Sequence, residues 1–215
     1  MYTAVIVEPR KHRALSLVVN NFRSNLSEEW NVLVLCGTEN ESFCRDMIQD
    51  LKHVELKQIP FANLSTRQYS SFCASKAFHE LIPTEIFLIF QVDTLILNPL
   101  KIQPFLQYDY VGAPWDFMSG LVGNGGLSLR RKSKMIEIIE TVPFHGANED
   151  MYFCTQTKVH LNRPSKEEAI EFSVETMYHP SPFGVHGLHS KRFEANFQKL
   201  VCDYPQLAEW KQLNQ

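Results

Sequence analysis

A polar pair interrupts the most apolar stretch of the sequence. In FQVDTLIL, residues 90–97, Gln91 and Asp93 stand among Phe90, Val92, Leu95 and Leu97. One residue separates them, so on a strand their side chains share a face. A carboxylate there can ligate a divalent cation, and the neighbouring amide can hold a hydroxyl. Asp93 can instead cap the turn that ends the strand. The cost of burying an unpaired carboxylate in such a run favours a functional role.

Three later segments carry further chemistry. VGNGGLSLRR, residues 122–131, packs Gly123, Gly125 and Gly126 into a short span. Glycines leave backbone N–H groups open to ligand oxygens, and they also make turns before strands. No GKS or GKT follows, so this is not a P-loop. Ala147-Asn148-Glu149-Asp150 places two carboxylates at a helix start. One of them, set in a cleft, can take the proton of a hydroxyl. Both also complement a helix dipole, which is reason enough for them to be there. PSPFGVHGLHSK, residues 180–191, follows His179 and holds His186 and His189 among glycines. The HExxH pattern is absent. A loop histidine can be a plain surface group, or it can join a carboxylate around a transition metal such as manganese.

These residues need elements to position them. Ala4–Val7 reads as a buried strand, and Leu15, Val18, Val19, Phe22 and Leu26 follow at helical spacing. Trp30–Leu35 is a second strand, Phe43 to Leu51 a second helix, and Val54–Ile59 a third strand ending at Pro60. Ser65–Leu81 reads as one helix. IFLIFQV, residues 86–92, is the most apolar strand and is expected to be central. Strand–helix alternation of this kind predicts a helix-covered α/β sheet, Rossmann-like in its N-terminal part. Further on, Tyr108–Val111 and GLSLR read as strands, Lys132–Glu140 as a helix, and Asn148 as the cap of another. Residues 171–189 read as an irregular loop over a site, and Lys191–Trp210 includes a terminal helix. With no linker visible, residues 1–215 are expected to form a single domain.

Composition excludes several classes. The 215 residues are 44% hydrophobic and 21% charged, with 15 Phe and a net charge of −3. Such a chain is globular, not disordered, collagenous or coiled-coil. It lacks the basic excess of a duplex-binding protein, so no nucleic-acid partner is expected. The longest apolar run is far too short to span a bilayer. The opening MYTAVIVEPR lacks a basic segment followed by a long apolar one, as a secretory leader would have. Five scattered cysteines with no CxxC pair predict free thiols in a reducing compartment, hence a cytoplasmic location. They also speak against a structural zinc site.

Taken in order, VIVEPR, FQVDTLIL, YDYVGAPW, GNGGLSLR, NEDMYF and PFGVHG resemble a family of small glycosyltransferase-like proteins. In plan it is similar to the sugar-nucleotide-dependent transferases of the GT-A fold. The resemblance runs from about residue 3 to 193. It implies a transfer of sugar from a nucleotide-diphosphate sugar, UDP- or GDP-linked, to a hydroxyl of a glycan or other acceptor. It implies a divalent metal, manganese or else magnesium. Asp93 matches the second acidic position of the DxD motif, and Gln91 replaces the first, which usually holds the ribose. His186 matches the late histidine that completes the metal shell. The Lys-Pro-Trp that usually follows is replaced by HGLHSK, so His189 or Lys191 is the candidate for the diphosphate. By the same resemblance Val7 and Glu8 line the nucleotide, Gly125 and Gly126 pass beside the sugar, and Glu149 or Asp150 serves the acceptor. An inverting reaction would use one of those two as base; a retaining one need not.

Two other classes compete. Gln91 in place of an acid motivates a catalytically inactive nucleotide- or carbohydrate-binding module. A nucleotidyltransferase would need a glycine-rich basic loop after the first strand. EPRKHRAL supplies Arg10, Lys11 and Arg13 but no glycine.

Overall fold

The computed structural model describes residues 1–118 and 121–215. Its first half alternates strands and helices: β1 (Tyr2–Val7), α1 (Leu15–Asn25), β2 (Trp30–Cys36), α2 (Glu41–Ile48), β3 (Val54–Gln58), α3 (Thr66–Cys73), α4 (Lys76–Leu81) and β4 (Ile86–Ile89). The second half holds β5 (Thr94–Ile96), β6 (Tyr110–Gly112), β7 (Ser128–Arg131), α5 (Lys132–Thr141), α6 (Glu149–Thr155) and α7 (Lys166–Phe172). It ends with β8 (Ser173–Val174), β9 (Gly184–His186), α8 (Glu194–Val201) and α9 (Gln206–Leu213). Among the described residues, no helix is long and apolar enough to cross a membrane.

Six strands form one mixed sheet in the order β3-β2-β1-β4-β7-β6. β3, β2, β1 and β4 run parallel, with Val5 opposite both Leu33 and Ile89, and β7 is antiparallel to β4. As expected, β4 is interior and fully apolar. Its continuous hydrophobic pattern follows from burial on both faces. Ala4, Ile6, Leu88 and Phe90 pack against α1, α2 and the C-terminal helices. Val5, Val7, Phe87 and Ile89 pack against α3 to α6. The chain winds from β1 outward to β3 and then crosses to β4 on the other side of β1. That order reversal opens a crevice at the carboxyl ends of β1 and β4, where ligands bind in open α/β sheets.

Three expectations need correction. Residues 65–81 form two helices, because the Ser75 hydroxyl donates to the Phe72 carbonyl and accepts from Phe78 N, capping α4 and ending α3. The segment 171–189 is not all loop: β8 and β9 join β5 in a second sheet of order β5-β9-β8. Strand β4 ends at Ile89, so Gln91 and Asp93 lie in the turn beyond it. Thr94 N and Oγ1 both donate to the Gln91 carbonyl, at 3.1 and 2.7 Å, and pull the chain out of the sheet.

Candidate functional site

The second sheet builds the site. β5 begins one residue after Asp93, and β9 ends on His186. The two strands pair antiparallel with Thr94 opposite His186, and Gly187 N donates to the Asp93 carbonyl at 2.9 Å. Asp93 Oδ2 therefore lies 3.5 Å from His186 Nε2 and 3.8 Å from His189 Nδ1. Glu175, just past β8, completes the group, with Oε1 3.2 Å from His186 Nδ1. That approach is off the line of a hydrogen bond, and Nδ1 has no other partner among the described residues. Asn124 Nδ2 donates to Glu175 Oε1 at 2.9 Å and fixes the carboxylate. Burial alone would push the His186 imidazole down. Asp93 and Glu175 outweigh it and hold the group up at about 9.

A cleft of about 400 Å³ opens at the carboxyl ends of β1 and β4. Val7, Glu8, Gln91, Asp93 and His189, all singled out in the sequence, line it. Tyr69 of α3 and Asn214, at the end of α9, also line it. Asn214 Nδ2 donates to the Val92 carbonyl at 3.2 Å. Lys191 is different: it is exposed on a short 3-10 helix, Lys191–Phe193, away from the cleft wall.

Gly125, Gly126, Glu149 and Asp150 meet beside His186. Arg130 on β7 is wholly buried and holds Glu149 through both oxygens, Nη1 to Oε2 at 2.6 Å and Nη2 to Oε1 at 3.0 Å. The guanidinium also faces the Tyr110 ring, 4.8 Å from its centroid. Asp150 is engaged differently. Its Oδ2 accepts from Gly125 N at 3.2 Å, and its Oδ1 from Met151 N at 2.7 Å. Burial, then the neighbouring Glu149 charge, push its carboxyl above the usual range. The glycines are buried, and side chains fill the space beside them. A Cβ on Gly125 would collide with Glu149 Oε1, and one on Gly126 with His186 Nε2. Their small size thus admits the site's own carboxylate and imidazole.

Sequence reasoning passed over Arg130, Glu175, Tyr69 and Asn214. Arg130 and Glu175 carried a signal, since each is a charge inside an apolar run, LSLRR and FSVETMY. Asn214 carried none, because its place follows only from how α9 packs.

Among the described residues, no three His, Cys, Asp or Glu side chains form a complete metal-ligand set. Asp93 Oδ2 and His186 Nε2 fit one edge of a shared shell. Ligands about 2.1 Å from an octahedral metal lie about 3 Å apart at adjacent positions, close to the 3.5 Å seen. Carboxylate with imidazole suits a divalent transition ion. The remaining positions would fall to ligand oxygens and water.

A family model described as "Protein of unknown function (DUF5672)" matches residues 51–186. No curated protein matches the sequence. Among solved structures, the apo-form glycosyltransferase GlyE of Streptococcus pneumoniae TIGR4 superposes with a TM-score of 0.52 at 11% identity. The match covers 99% of this chain and 64% of GlyE, so the chain spans just under two thirds of that protein. HddC of Yersinia pseudotuberculosis matches at TM-score 0.49 and 14% identity, over 75% of this chain and 88% of HddC. TarS residues 1–349 of S. aureus, solved with UDP-GlcNAc, matches at 0.46 and 10%, over 71% and 52%. The likeness to GlyE establishes the fold: a mixed α/β sheet flanked by helices, of the GT-A type expected from the sequence.

Proposed function

The chain belongs to the DUF5672 family of proteins of unknown function, and we propose that it is a glycosyltransferase. It would move a sugar from a nucleotide-diphosphate sugar to a hydroxyl of a glycan or other acceptor. The observation that carries this reading is the cleft at the sheet's switch point, which ends at Asp93 beside His186. UDP or GDP, rather than ATP, is the expected nucleotide portion. The fold likeness to GlyE supports the general class.

Each group then has a task. Val7 and Glu8 border the nucleotide, and Gln91 offers an amide to its ribose. Asp93 and His186 would hold a divalent cation, manganese or else magnesium. Such a cation, when bound, offsets the charge that builds on a departing diphosphate. Asp150 takes the acceptor's proton if the reaction inverts. Its raised pKa makes it a better base than an ordinary carboxylate. Glu149 has both oxygens occupied by Arg130 and acts by positioning α6. The cysteines Cys36, Cys44, Cys73, Cys154 and Cys202 are free thiols, which supports a reducing compartment such as the cytoplasm.

Calorimetry of the protein with UDP and GDP, with manganese present, tests the reading, followed by release of nucleoside diphosphate from a panel of sugar nucleotides. Binding with turnover is the expected result. If neither nucleotide binds, the reading is wrong. Binding without any turnover would favour an inactive binding module, for which Gln91 in place of an acid is the structural motive.

A further inference from the structure

Past Glu8, the segment after β1, PRKHRAL, is basic yet has no task in the transferase scheme. Two of its basic side chains, Arg10 and His12, line the same cleft as Gln91 and Asp93. Arg10 is held by a buried partner. Glu8 Oε1 accepts from Arg10 N at 2.9 Å and from Nε at 2.7 Å, and Glu8 Oε2 accepts from Nη2 at 2.7 Å. The Glu8 side chain is 5% exposed, whereas that of Arg10 is 55% exposed. The guanidinium is therefore pinned from behind with its outer edge in solvent. Nη1 has no partner among the described residues.

The loop beneath is fixed as well. The buried Asn40 amide donates to the Glu8 and Arg10 carbonyls at 2.9 and 2.8 Å, and its oxygen accepts from Gly37 N at 2.7 Å. Ala14 N donates to His12 Nδ1 at 3.2 Å, which leaves His12 with its proton on Nε2 as a second donor. Two more polar groups on this wall are buried and lack hydrogen bonds among the described residues: the Tyr69 hydroxyl and His189 Nδ1. An unmet buried polar group costs stability, and a small side-chain shift that brought either atom to a ligand oxygen would relieve it.

We propose that Arg10 and His12 form a clamp, built by the protein itself, for the diphosphate of the ligand. A pinned guanidinium presents a planar fork that matches phosphate oxygens. Because Glu8 has already ordered it, binding loses less side-chain entropy. Glu8 also offsets the guanidinium charge, and Asp93 stands in the same cleft. The clamp alone therefore binds modestly, and a cation at Asp93 strengthens it. That division of labour suits a site with Gln91 where a second acid would stand. Naming the diphosphate of a nucleotide sugar as the natural ligand rests on the transferase reading; the anion site itself does not.

The test is calorimetry on the full chain with inorganic pyrophosphate and with UDP, each in EDTA and in manganese. Pyrophosphate should bind the wild type in EDTA and bind more tightly with manganese. Arg10→Gln should weaken both by about tenfold or more, as expected for loss of charge-assisted hydrogen bonds. Arg10→Lys, which keeps the charge without the fork, should fall between, and His12→Gln should cost less. Arg10→Gln strands the Glu8 carboxylate, so the double variant Glu8→Gln/Arg10→Gln checks the result with a neutral pair; it should show the same loss. If pyrophosphate fails to bind wild type, or binds the Arg10 variants equally well, the clamp is refuted. UDP binding that ignores Arg10 refutes the clamp and leaves the transferase reading intact. Arg10-dependent pyrophosphate binding with no UDP binding upholds the clamp and removes the nucleotide.

Discussion

Asp93 and His186 are far apart in the sequence and 3.5 Å apart in the fold, side chain to side chain. The contact is enforced by backbone pairing. Thr94 and His186 are opposite residues of the β5–β9 ladder, and Gly187 N is bonded to the Asp93 carbonyl. An antiparallel ladder fixes register to the residue, because a one-residue slip turns a side chain to the other face. The backbone pairing thus fixes the distance between the two side chains.

Asp93→Ala and His186→Ala are each expected to weaken the mutual enhancement of manganese and UDP binding while leaving the melting temperature near that of the wild type. Linkage makes the enhancement reciprocal, so either titration order reads it. Gly126→Ala is expected to act like His186→Ala, since the new Cβ takes the place of Nε2 and the ring must move. Full manganese-dependent UDP binding in Asp93→Ala or His186→Ala would remove that residue from the ligand set.

Asp150→Asn is expected to lower turnover by about 10²–10⁴-fold with little change in donor affinity, because a base acts in the transition state. Steady-state kinetics with an identified donor separate kcat from donor binding. A variant with near wild-type turnover would return Asp150 to the role of a helix-start acid.

Arg130→Met tests the buried pair with Glu149. Removing one member of a buried ion pair leaves an uncompensated charge and costs about 3–5 kcal/mol. Replacing both, as in Arg130→Met/Glu149→Leu, should recover much of that loss. Chemical denaturation of the two variants gives the comparison. A single variant as stable as the wild type would mean that the pair contributes little.

His79 predicts an acid-sensitive fold. Its ring is fully buried beside Phe78, Phe87 and Phe153, with Nδ1 2.9 Å from the Ser75 carbonyl. Burial pushes its pKa down to about 4 from 6.5. The unfolded chain therefore takes up a proton at a pH where the folded one refuses it. Stability is complete above about 6.5 and falls as the pH drops toward 4, by up to about 3 kcal/mol. Urea unfolding at pH 7 and pH 5 should show the fall, and His79→Phe should reduce it. An unchanged pH dependence in that variant would clear His79 of the effect.

The sheet was legible because its pattern is local. The central runs do not alternate: Ala4 to Val7 and Ile86 to Phe90 are apolar at every position, as a strand covered on both faces demands. Helix boundaries were harder. Ser75 sits within the helical spacing of residues 65–81 and ends one helix through a hydroxyl bond to Phe72. Spacing counts apolar residues and does not register that competition for backbone groups.

The site divides in the same way. Asp93 and His186 stood out in the sequence because each is a residue type able to bind a cation, set in an apolar or glycine-flanked segment. Glu149 and Asp150 were indistinguishable there, as adjacent acids at a helix start. The fold separates them, since successive helix positions point about 100° apart and only Glu149 reaches Arg130. The glycines read as open backbone, yet Glu149 and His186 fill the space beside Gly125 and Gly126. By itself, the sequence determined the layered α/β plan and the residue types at the crevice, because periodicity and side-chain chemistry are properties of neighbouring residues. Tertiary structure alone decided which of those groups meet, through the β5–β9 register, the Arg130 pairing and the packing of α9. Contacts between distant segments depend on how the sheets and helices close on one another, and no local pattern encodes that closure.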